Sequence, residues 1–238
     1  MQYYPVYLDL RGRPCVVVGG GRLAEEKVKG LLEAEADVTV VAPRLTNQLQ
    51  RWAEAGHIRQ VARPYVSGDL AGAFLAISTL NKPEVNEQFW EEVVERNILA
   101  NVMDDLPHCN FIAASIVRRG DLAITISTSG KAPALAIRLR QWLERELGEE
   151  YARFLELAGS LRAPLAERFP PFEERKRRWY ELVDSEVLDL LRRGEDEAAR
   201  TRITEIMGVA PVEAEIASHG NWQDATRNTR HVTAGVTP

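Results

Sequence analysis

The chain is short of the residues that staple, span or wrap. Of its 238 residues only Cys15 and Cys109 are cysteine, which makes no disulfide framework and no zinc spacing. Such sparing use of thiols fits a reducing cytoplasm. No apolar run is long enough to cross a bilayer, and Met1 to Leu10 lacks the basic-then-apolar order of an export signal. A cytoplasmic protein without a membrane partner is therefore expected. Basic residues are not in excess either: 30 Lys and Arg stand against 35 Asp and Glu, a formal net charge of -5. That balance argues against wrapping nucleic acid, so any anionic ligand must be met by a local cluster of cations. Neither G-x-x-x-x-G-K-[ST], H-E-x-x-H nor a Ser/His/Asp order occurs. Apolar residues are plentiful at 45%, enough for one large domain or two modest ones.

The organising stretch is Cys15-Val16-Val17-Val18-Gly19-Gly20-Gly21-Arg22-Leu23-Ala24. A β-branched run breaks into glycines and then takes helical spacing, which predicts a strand, a tight turn and a helix N-terminus. Gly19, Gly21 and Ala24 fill the three small positions of G-x-G-x-x-A: the first permits the turn, the second lets backbone approach a pyrophosphate, the third lets helix and strand pack closely. Unpaired N–H groups at the helix start suit phosphate. A second strand at Asp37 to Ala42 completes a βαβ unit, so a dinucleotide is the expected ligand. That strand ends in Val41-Ala42-Pro43-Arg44, without the acid that accepts ribose hydroxyls, and Arg44 leaves an NADP 2′-phosphate open beside NAD.

Tyr3 to Leu10 reads as a lead-in strand. Asn47 to Ala55 predicts a helix, Ile58 to Ala62 and Ala73 to Thr79 predict strands, Pro83 to Arg96 a helix and Ile98 to Val102 a strand. This alternation predicts a parallel sheet covered on both faces, with its ligand beyond the carboxyl ends of the strands. From Phe111 the pattern changes. Phe111 to Val117 and Leu122 to Ser127 read as hairpin strands around Arg118-Arg119-Gly120-Asp121, and a helix follows from about Ala134 to Leu147 with Pro133 at its first position. A hairpin and helix bury too little alone, so a homodimer is expected. Glu149 to Met207 is helical in pattern, with breaks expected at Ala163-Pro164, Phe169-Pro170-Pro171 and Gly194. The fold class is thus α/β: an NAD-binding Rossmann-like parallel sheet over residues 1–112, a β-hairpin and helix segment for dimerisation and substrate over 113–148, a small all-helical domain over 149–208, and a flexible tail over 209–238.

Asp104 and Asp105 lie where the last strand of the sheet ends. An acid there serves as general base or metal ligand, or only caps a loop. His108 adds a titratable group nearby. Ser127-Thr128-Ser129-Gly130-Lys131 precedes a helix, and such a loop holds a carboxylate or phosphate through its backbone and Lys131, or supplies an N-cap from Ser129 or a neighbour. Glu173 to Tyr180 gathers four cations beside two aromatics, a solvated helix face or an anion-binding patch.

In this order the pieces resemble the precorrin-2 dehydrogenase and sirohydrochlorin ferrochelatase family, the module fused to a methyltransferase in siroheme synthases. The resemblance covers about residues 1 to 208. It is carried by Pro5-Val6-Tyr7-Leu8-Asp9-Leu10, Val17 to Lys27, Val40-Val41-Ala42-Pro43, Val85-Asn86, Asn101-Val102-Met103-Asp104, Cys109-Asn110-Phe111, Ser127 to Pro133 and Glu174 to Trp179. It implies NAD+-dependent oxidation of precorrin-2 to sirohydrochlorin, NAD+ being used although the second strand lacks its acid, and a homodimer. In many members ferrous iron is then inserted, with Fe2+ as a substrate; stand-alone forms, such as this chain is read to be, differ in keeping that step. By position, the resemblance makes Asp104 catalytic and, where iron is inserted, a transient metal ligand. It makes Gly19, Gly21, Arg22, Leu23, Ala24, Pro43 and Arg44 cofactor-binding, and Ser127, Thr128, Ser129, Lys131 and Arg138 substrate-binding. Lys131, Arg138 and the Arg175 to Arg178 cluster would answer the carboxylates of the tetrapyrrole. Leu80-Asn81 stands where the family usually has Thr-Asp. Two alternatives remain, a non-catalytic NAD-binding sensor and an NAD(P) oxidoreductase acting on another small acid. A sensor needs no acid at Asp104.

Overall fold

Side chains alternating above and below one strand organise the first part of the molecule. The structure, a computed structural model, describes residues 3–212. Strand β1 (Pro14–Val18) lies in the middle of a five-stranded sheet and is buried from Cys15 to Val18. Cys15 and Val17 enter one hydrophobic cluster, Val16 and Val18 the other, the period of two that a pleated strand imposes. With β2 (Asp37–Val41), β3 (Ile58–Val61), β4 (Leu75–Ser78) and β5 (Leu99–Val102), the sheet has the order β3-β2-β1-β4-β5 and every pair is parallel. The chain winds outward from β1 to β3, then returns across the sheet to β4. The turn after β1 is therefore the point where connections diverge, where ligands of such sheets bind.

Helices α1 (Arg22–Glu33) and α2 (Asn47–Glu54) cover one face through Ala24, Val28, Leu31, Leu49 and Trp52. Helix α3 (Pro83–Arg96) covers the other with Phe89 and Val93. No helix joins β3 to β4. A loop does so instead, burying Tyr65 and Leu70, and it is held by Glu92 of α3. The Glu92 carboxylate, 2% exposed, accepts from Tyr65 Oη at 2.6 Å, the Gly68 amide at 2.9 Å and Arg96 Nε at 2.8 Å. A buried charge supplied with three donors is stable where it lies. Burial, and then the carboxylate beside it, push the Tyr65 hydroxyl far up, so it remains a donor.

The edge strand β5 is finished by residues after it. Asn110 accepts the Ala100 amide at 2.7 Å and donates to the Ile98 carbonyl at 2.7 Å, while Asn101 Nδ2 donates to the Phe111 carbonyl at 3.1 Å. A side-chain amide thus takes the place of a neighbouring strand. This corrects the expected hairpin strand from Phe111: the Asn110–Phe111 stretch is bound to β5, and β6 begins only at Ser115 (Ser115–Arg119). The lead-in strand expected over Tyr3 to Leu10 is also absent. No strand among the described residues pairs with it, and Tyr4, Val6 and Tyr7 are exposed while Leu10 alone is buried.

The chain divides into two compact units, one running to Ala114 and including Ser129–Lys131, the other made of Ser115–Thr128 and the chain from Ala132 onward. In the second unit, β6 pairs antiparallel with β7 (Leu122–Ile126) around Gly120 at φ +54°. Arg119 of β6 caps the end of α4 (Pro133–Glu146), donating to the carbonyls of Leu147 at 2.6 Å and Glu144 at 2.7 Å. Helices α5 (Glu150–Arg168), α6 (Phe172–Val183), α7 (Val187–Arg192) and α8 (Asp196–Met207) bury Leu157, Leu161, Leu165, Leu182, Val187, Ile203 and Met207 together. The break expected at Ala163-Pro164 does not occur, because Pro164 lies inside α5. Leu157, Ala158, Leu161 and Leu165 keep helical spacing across it, and their burial outweighs a proline cost of about 3 kcal/mol. Of the stretch read as a tail, residues 209–212 are described, with Val209 packed on the helical core; the rest lies outside the described residues.

Asn110→Ala leaves the Ala100 amide of β5 and the Ile98 carbonyl just before it without their side-chain partner. It is expected to cost about 1–3 kcal/mol, read as a lower urea midpoint of the unit holding the parallel sheet.

Candidate functional site

At the carboxyl end of β1 the sheet leaves no room for side chains. Gly19 stands at φ +115°, and a Cβ there would overlap the Thr79 hydroxyl, which itself donates to the Val18 carbonyl at 3.1 Å. A Cβ on Gly20 would overlap the carbonyl oxygen of Arg44. The Gly20 carbonyl in turn accepts from the Thr46 amide at 3.0 Å, and the Gly19 amide donates to Val41 at 3.0 Å. The turn after β1 and the turn after β2 are therefore packed backbone against backbone. Gly21 differs: a Cβ there would meet nothing within 4 Å. It is the N-cap of α1, with no side chain capping the first turn, so the N–H groups of that turn are left to an incoming anion.

These turns border a cavity of about 440 Å³ lined by Gly19–Gly21, Val41–Thr46, Pro64, Tyr65, Leu80, Lys82 and Val85. Bare glycine backbone, an uncapped helix start and apolar walls fit a dinucleotide. Of the residues expected to bind it, Gly19, Gly21, Pro43 and Arg44 line the cavity. Ala24 is buried beneath in the sheet–helix packing, as its position in the fingerprint requires. Arg22 and Leu23 are exposed on the first turn of α1 and do not line the cavity. Leu80, from the loop where the family usually has Thr-Asp, lines it too, while Pro64, Tyr65, Lys82 and Val85 were not anticipated. They follow β3 and β4, and the rule that ligands sit beyond strand ends is the signal that finds them once the strand order is known.

Beyond β5 stands an acid turn. Asp104 is exposed with φ +60°, a left-handed backbone that a non-glycine residue adopts only where its surroundings enforce it. Cys109 supplies part of that enforcement. Its single S–H proton is within reach of the carbonyls of Val102 at 3.3 Å and Asp105 at 3.2 Å, on either side of Asp104, and its Sγ accepts from the Val102 amide at 3.2 Å. Burial pushes the Cys109 thiol up, which keeps it a donor. His108 supplies the rest: Nδ1 lies 2.7 Å from Asp105 and Nε2 3.3 Å from Glu87 of α3, with the Trp90 ring 5.8 Å away. A Cβ added at Gly130 would come to 3.6 Å from the side chain of Leu106, the leucine of this turn, an ordinary van der Waals distance. Ser129 and Gly130 have φ +53° and +76°. The structure thus places Ser129, Lys131 and Asp104 in one unit, and Lys131 is exposed with no ion pair among the described residues. Ser127, Thr128 and Arg138 belong to the other unit. There Thr128 accepts the amide of Ala132, the residue before α4, at 3.3 Å, and Arg138 donates to Gln141 at 3.2 Å; the N-cap expected of Ser129 or a neighbour is not formed, since no side chain caps the first turn of α4.

The Arg175 to Arg178 cluster requires correction. Arg175 donates to the carbonyls of Phe169 at 2.9 Å and of Pro170, and Arg178 donates to Ile206 at 2.6 Å and covers the Phe169 ring at 3.8 Å. Lys176 and Arg177 face Glu173 and Glu181. The two arginines close helix C-termini inside the bundle, a role cations fill well, and are not free to answer a substrate's carboxylates. Among the described residues no group of three or more His, Cys, Asp or Glu is disposed to hold a metal ion, and no helix is long and apolar enough to cross a membrane.

Comparison with known proteins agrees with this geometry along the chain. Residues 6–115 match a family model described as "Putative NAD(P)-binding", residues 119–146 one described as sirohaem biosynthesis protein central, and residues 150–207 one described as sirohaem synthase dimerisation region. Two of the three descriptions name sirohaem biosynthesis, and the three matches follow one another along the chain. It is 36% identical over 221 residues to a siroheme synthase of Photobacterium profundum, covering 93% of this chain and 47% of that protein. It is 38% identical over 199 residues to siroheme synthase 1 of Pectobacterium atrosepticum, covering 84% of this chain and 42% of that protein. The chain spans just under half the length of these relatives. Among solved structures, SirC, a precorrin-2 dehydrogenase, matches with a TM-score of 0.72 and 27% identity, over 87% of this chain and 100% of that one. The description "dimerisation region" falls on the four-helix part of the chain, not on the hairpin and α4.

Gly20→Ala forces the two turns apart. It is expected to cost about 1–3 kcal/mol of stability and to weaken NAD+ binding about tenfold or more, measured by urea unfolding and calorimetric titration.

Proposed function

We propose that the chain catalyses NAD+-dependent oxidation of precorrin-2 to sirohydrochlorin, with Asp104 as the acid–base residue. The observation that carries this reading is an exposed carboxylate in a strained backbone, held by Cys109 and His108 at the same sheet edge as the glycine turn. β5 lies two strands from β1, so the two features stand about 10 Å apart along the sheet, room for a nicotinamide and a macrocycle edge. The sirohaem family models matched after the sheet and the likeness to a precorrin-2 dehydrogenase support the choice of substrate.

Bound NAD+ supplies the hydride acceptor. The rest falls to this chain. Gly19–Gly21 and the start of α1 would hold the pyrophosphate, and Pro43 and Arg44 the adenosine ribose. Asp104 would take the proton that the substrate's carbon framework loses as hydride departs. Lys131, with no ion pair among the described residues, and Arg138, which donates to Gln141, would hold substrate carboxylates together with the hydroxyls of Ser127, Thr128 and Ser129. If iron is inserted, Asp104 would receive the pyrrole protons while the macrocycle's own nitrogens take Fe2+. The cytoplasm is the setting we assign, since Cys15 and Cys109 are both free. We assign a second copy of the chain to the apolar surface of the second unit, where Ile116, Leu135, Ile137 and Trp142 are exposed.

Asp104→Ala is expected to lower kcat for sirohydrochlorin formation about a hundredfold or more, with NAD+ affinity changed only a few-fold; full activity in this variant, followed by the product spectrum, would sink the assignment. Ile137→Asp is expected to shift the sedimenting species from dimer to monomer, and an unchanged dimer would move the interface elsewhere.

A further inference from the structure

Helix α3 reaches, through two neighbouring residues, both turns that the proposed oxidation uses. Asn86 serves the nucleotide side. It is 4% exposed, its Oδ1 accepts the hydroxyl of the fully buried Ser78 at 2.9 Å, and its Nδ2 donates to the Leu80 carbonyl at 3.2 Å. Leu80 lines the cavity, and its Cδ2 lies 3.3 Å from where a Gly19 Cβ would be. The Ser78 carbonyl also accepts the Met103 amide at 2.9 Å, where the acid turn begins. Glu87, the next residue of α3, serves that turn. Its Oε2 lies 3.3 Å from Nε2 of His108, whose Nδ1 lies 2.7 Å from Asp105, and the ring of Trp90, three residues along α3, packs on the His108 ring. Phe89 and Val93, both buried, fix the helix to the sheet. The Glu87 side chain is 61% exposed, and its carboxylate makes no other bond among the described residues. An exposed pair of this kind adds little to stability, so its effect lies in geometry.

We propose that His108 and Glu87 are positioning residues for the oxidation. They tie the acid turn to α3, one residue from the Asn86 that holds Leu80, so a single helix sets Asp104 against the wall of the cofactor cavity. β5 is the edge strand of its sheet, and no strand among the described residues supports the turn beyond it from outside. The tether from α3 supplies that support. Asp104 has to stay within hydrogen-bond reach of the carbon framework that loses a proton as hydride leaves, and a displacement of about 1 Å costs on the order of a hundredfold in rate. The inference rests on the reading of Asp104 as the acid–base residue.

The test is steady-state kinetics of the full chain with precorrin-2 and NAD+, beside amide hydrogen exchange. Glu87→Ala removes an exposed side chain from a helix surface, so the urea midpoint should hardly change. This variant is expected to lower kcat about three- to tenfold with KM for NAD+ changed by less than about twofold. Exchange should rise across residues 103–109 and not across 78–82. Glu87→Gln, which still accepts from His108, should recover most of the loss. His108→Ala should lower kcat at least as far, and adding Glu87→Ala to it should cost nothing more, because both remove one tether. An unchanged kcat in Glu87→Ala, with the unaltered chain active, overturns the inference and leaves the dehydrogenase reading standing. A loss that glutamine does not recover, or one that falls equally on KM for NAD+, overturns it as well. No turnover by the unaltered chain, or full activity in Asp104→Ala, overturns the reading of Asp104 and the inference together.

Discussion

Two absent Cβ atoms hold the nucleotide edge of this molecule together. Without side chains at Gly19 and Gly20, the turn after β1 can lie against Thr79 on one side and against the Arg44 backbone on the other. Three strand ends, those of β1, β2 and β4, thereby share one surface. The cavity, the exposed start of α1 and the placement of Arg44 all follow from that contact. Most stabilising contacts in a sheet tolerate a methylene more or less at modest cost. Backbone against backbone has no rotamer to adjust, which is why the constraint falls on residue type and not on packing volume.

What could be read in the amino-acid sequence is what local spacing controls. α3 was legible from Pro83 to Arg96 because proline marks its start and Asn97, at φ +54°, its end. The central strands were legible because three consecutive valines have few other places to go. The misreadings concern partners far away in the chain. Phe111 looks like a strand residue until Asn110 is seen to finish β5, and the apolar residues near the N-terminus look like a strand until no ladder is found for them. Pro164 looks like a stop until the buried face of α5 is seen to continue past it. Each is a case of tertiary pairing overriding a local signal.

The site was legible in the same uneven way. Gly19, Gly21, Pro43 and Arg44 belong to one motif or its neighbouring strand end, so spacing sufficed. Lys82, Tyr65 and Pro64 reach the cavity only through strand order. The Arg175 to Arg178 run shows the opposite error. Four cations in a row suggest a surface for an anion, yet two of them satisfy carbonyls at the ends of α5 and α8. Charge density in a sequence does not say which charges are already used inside the fold.

The backbone itself separates structural from functional turns. Among the described residues, four that are not glycine have positive φ: Glu35, Asn97, Asp104 and Ser129. Glu35 and Asn97 follow α1 and α3, and their conformations complete hydrogen bonds that helix ends require: Glu35 to Leu32 at 3.0 Å and Asn97 to Val94 at 3.3 Å. Asp104 ends no helix. Each such conformation costs about 1–3 kcal/mol, and at Asp104 the offset comes from Cys109 bonding on both sides of it and from His108 bonding Asp105. A turn that only had to reverse the chain would be cheaper with glycine at that position. Aspartate is among the few non-glycine types enriched in this conformation, and here it presents an exposed carboxylate at the sheet edge; Ser129, at φ +53°, belongs to the same compact unit, and a Cβ added at the following Gly130 would reach Leu106. The strain therefore concentrates where the fold brings together the acid and the loop before α4, and is missing from the glycine turn, where glycine itself takes the positive φ.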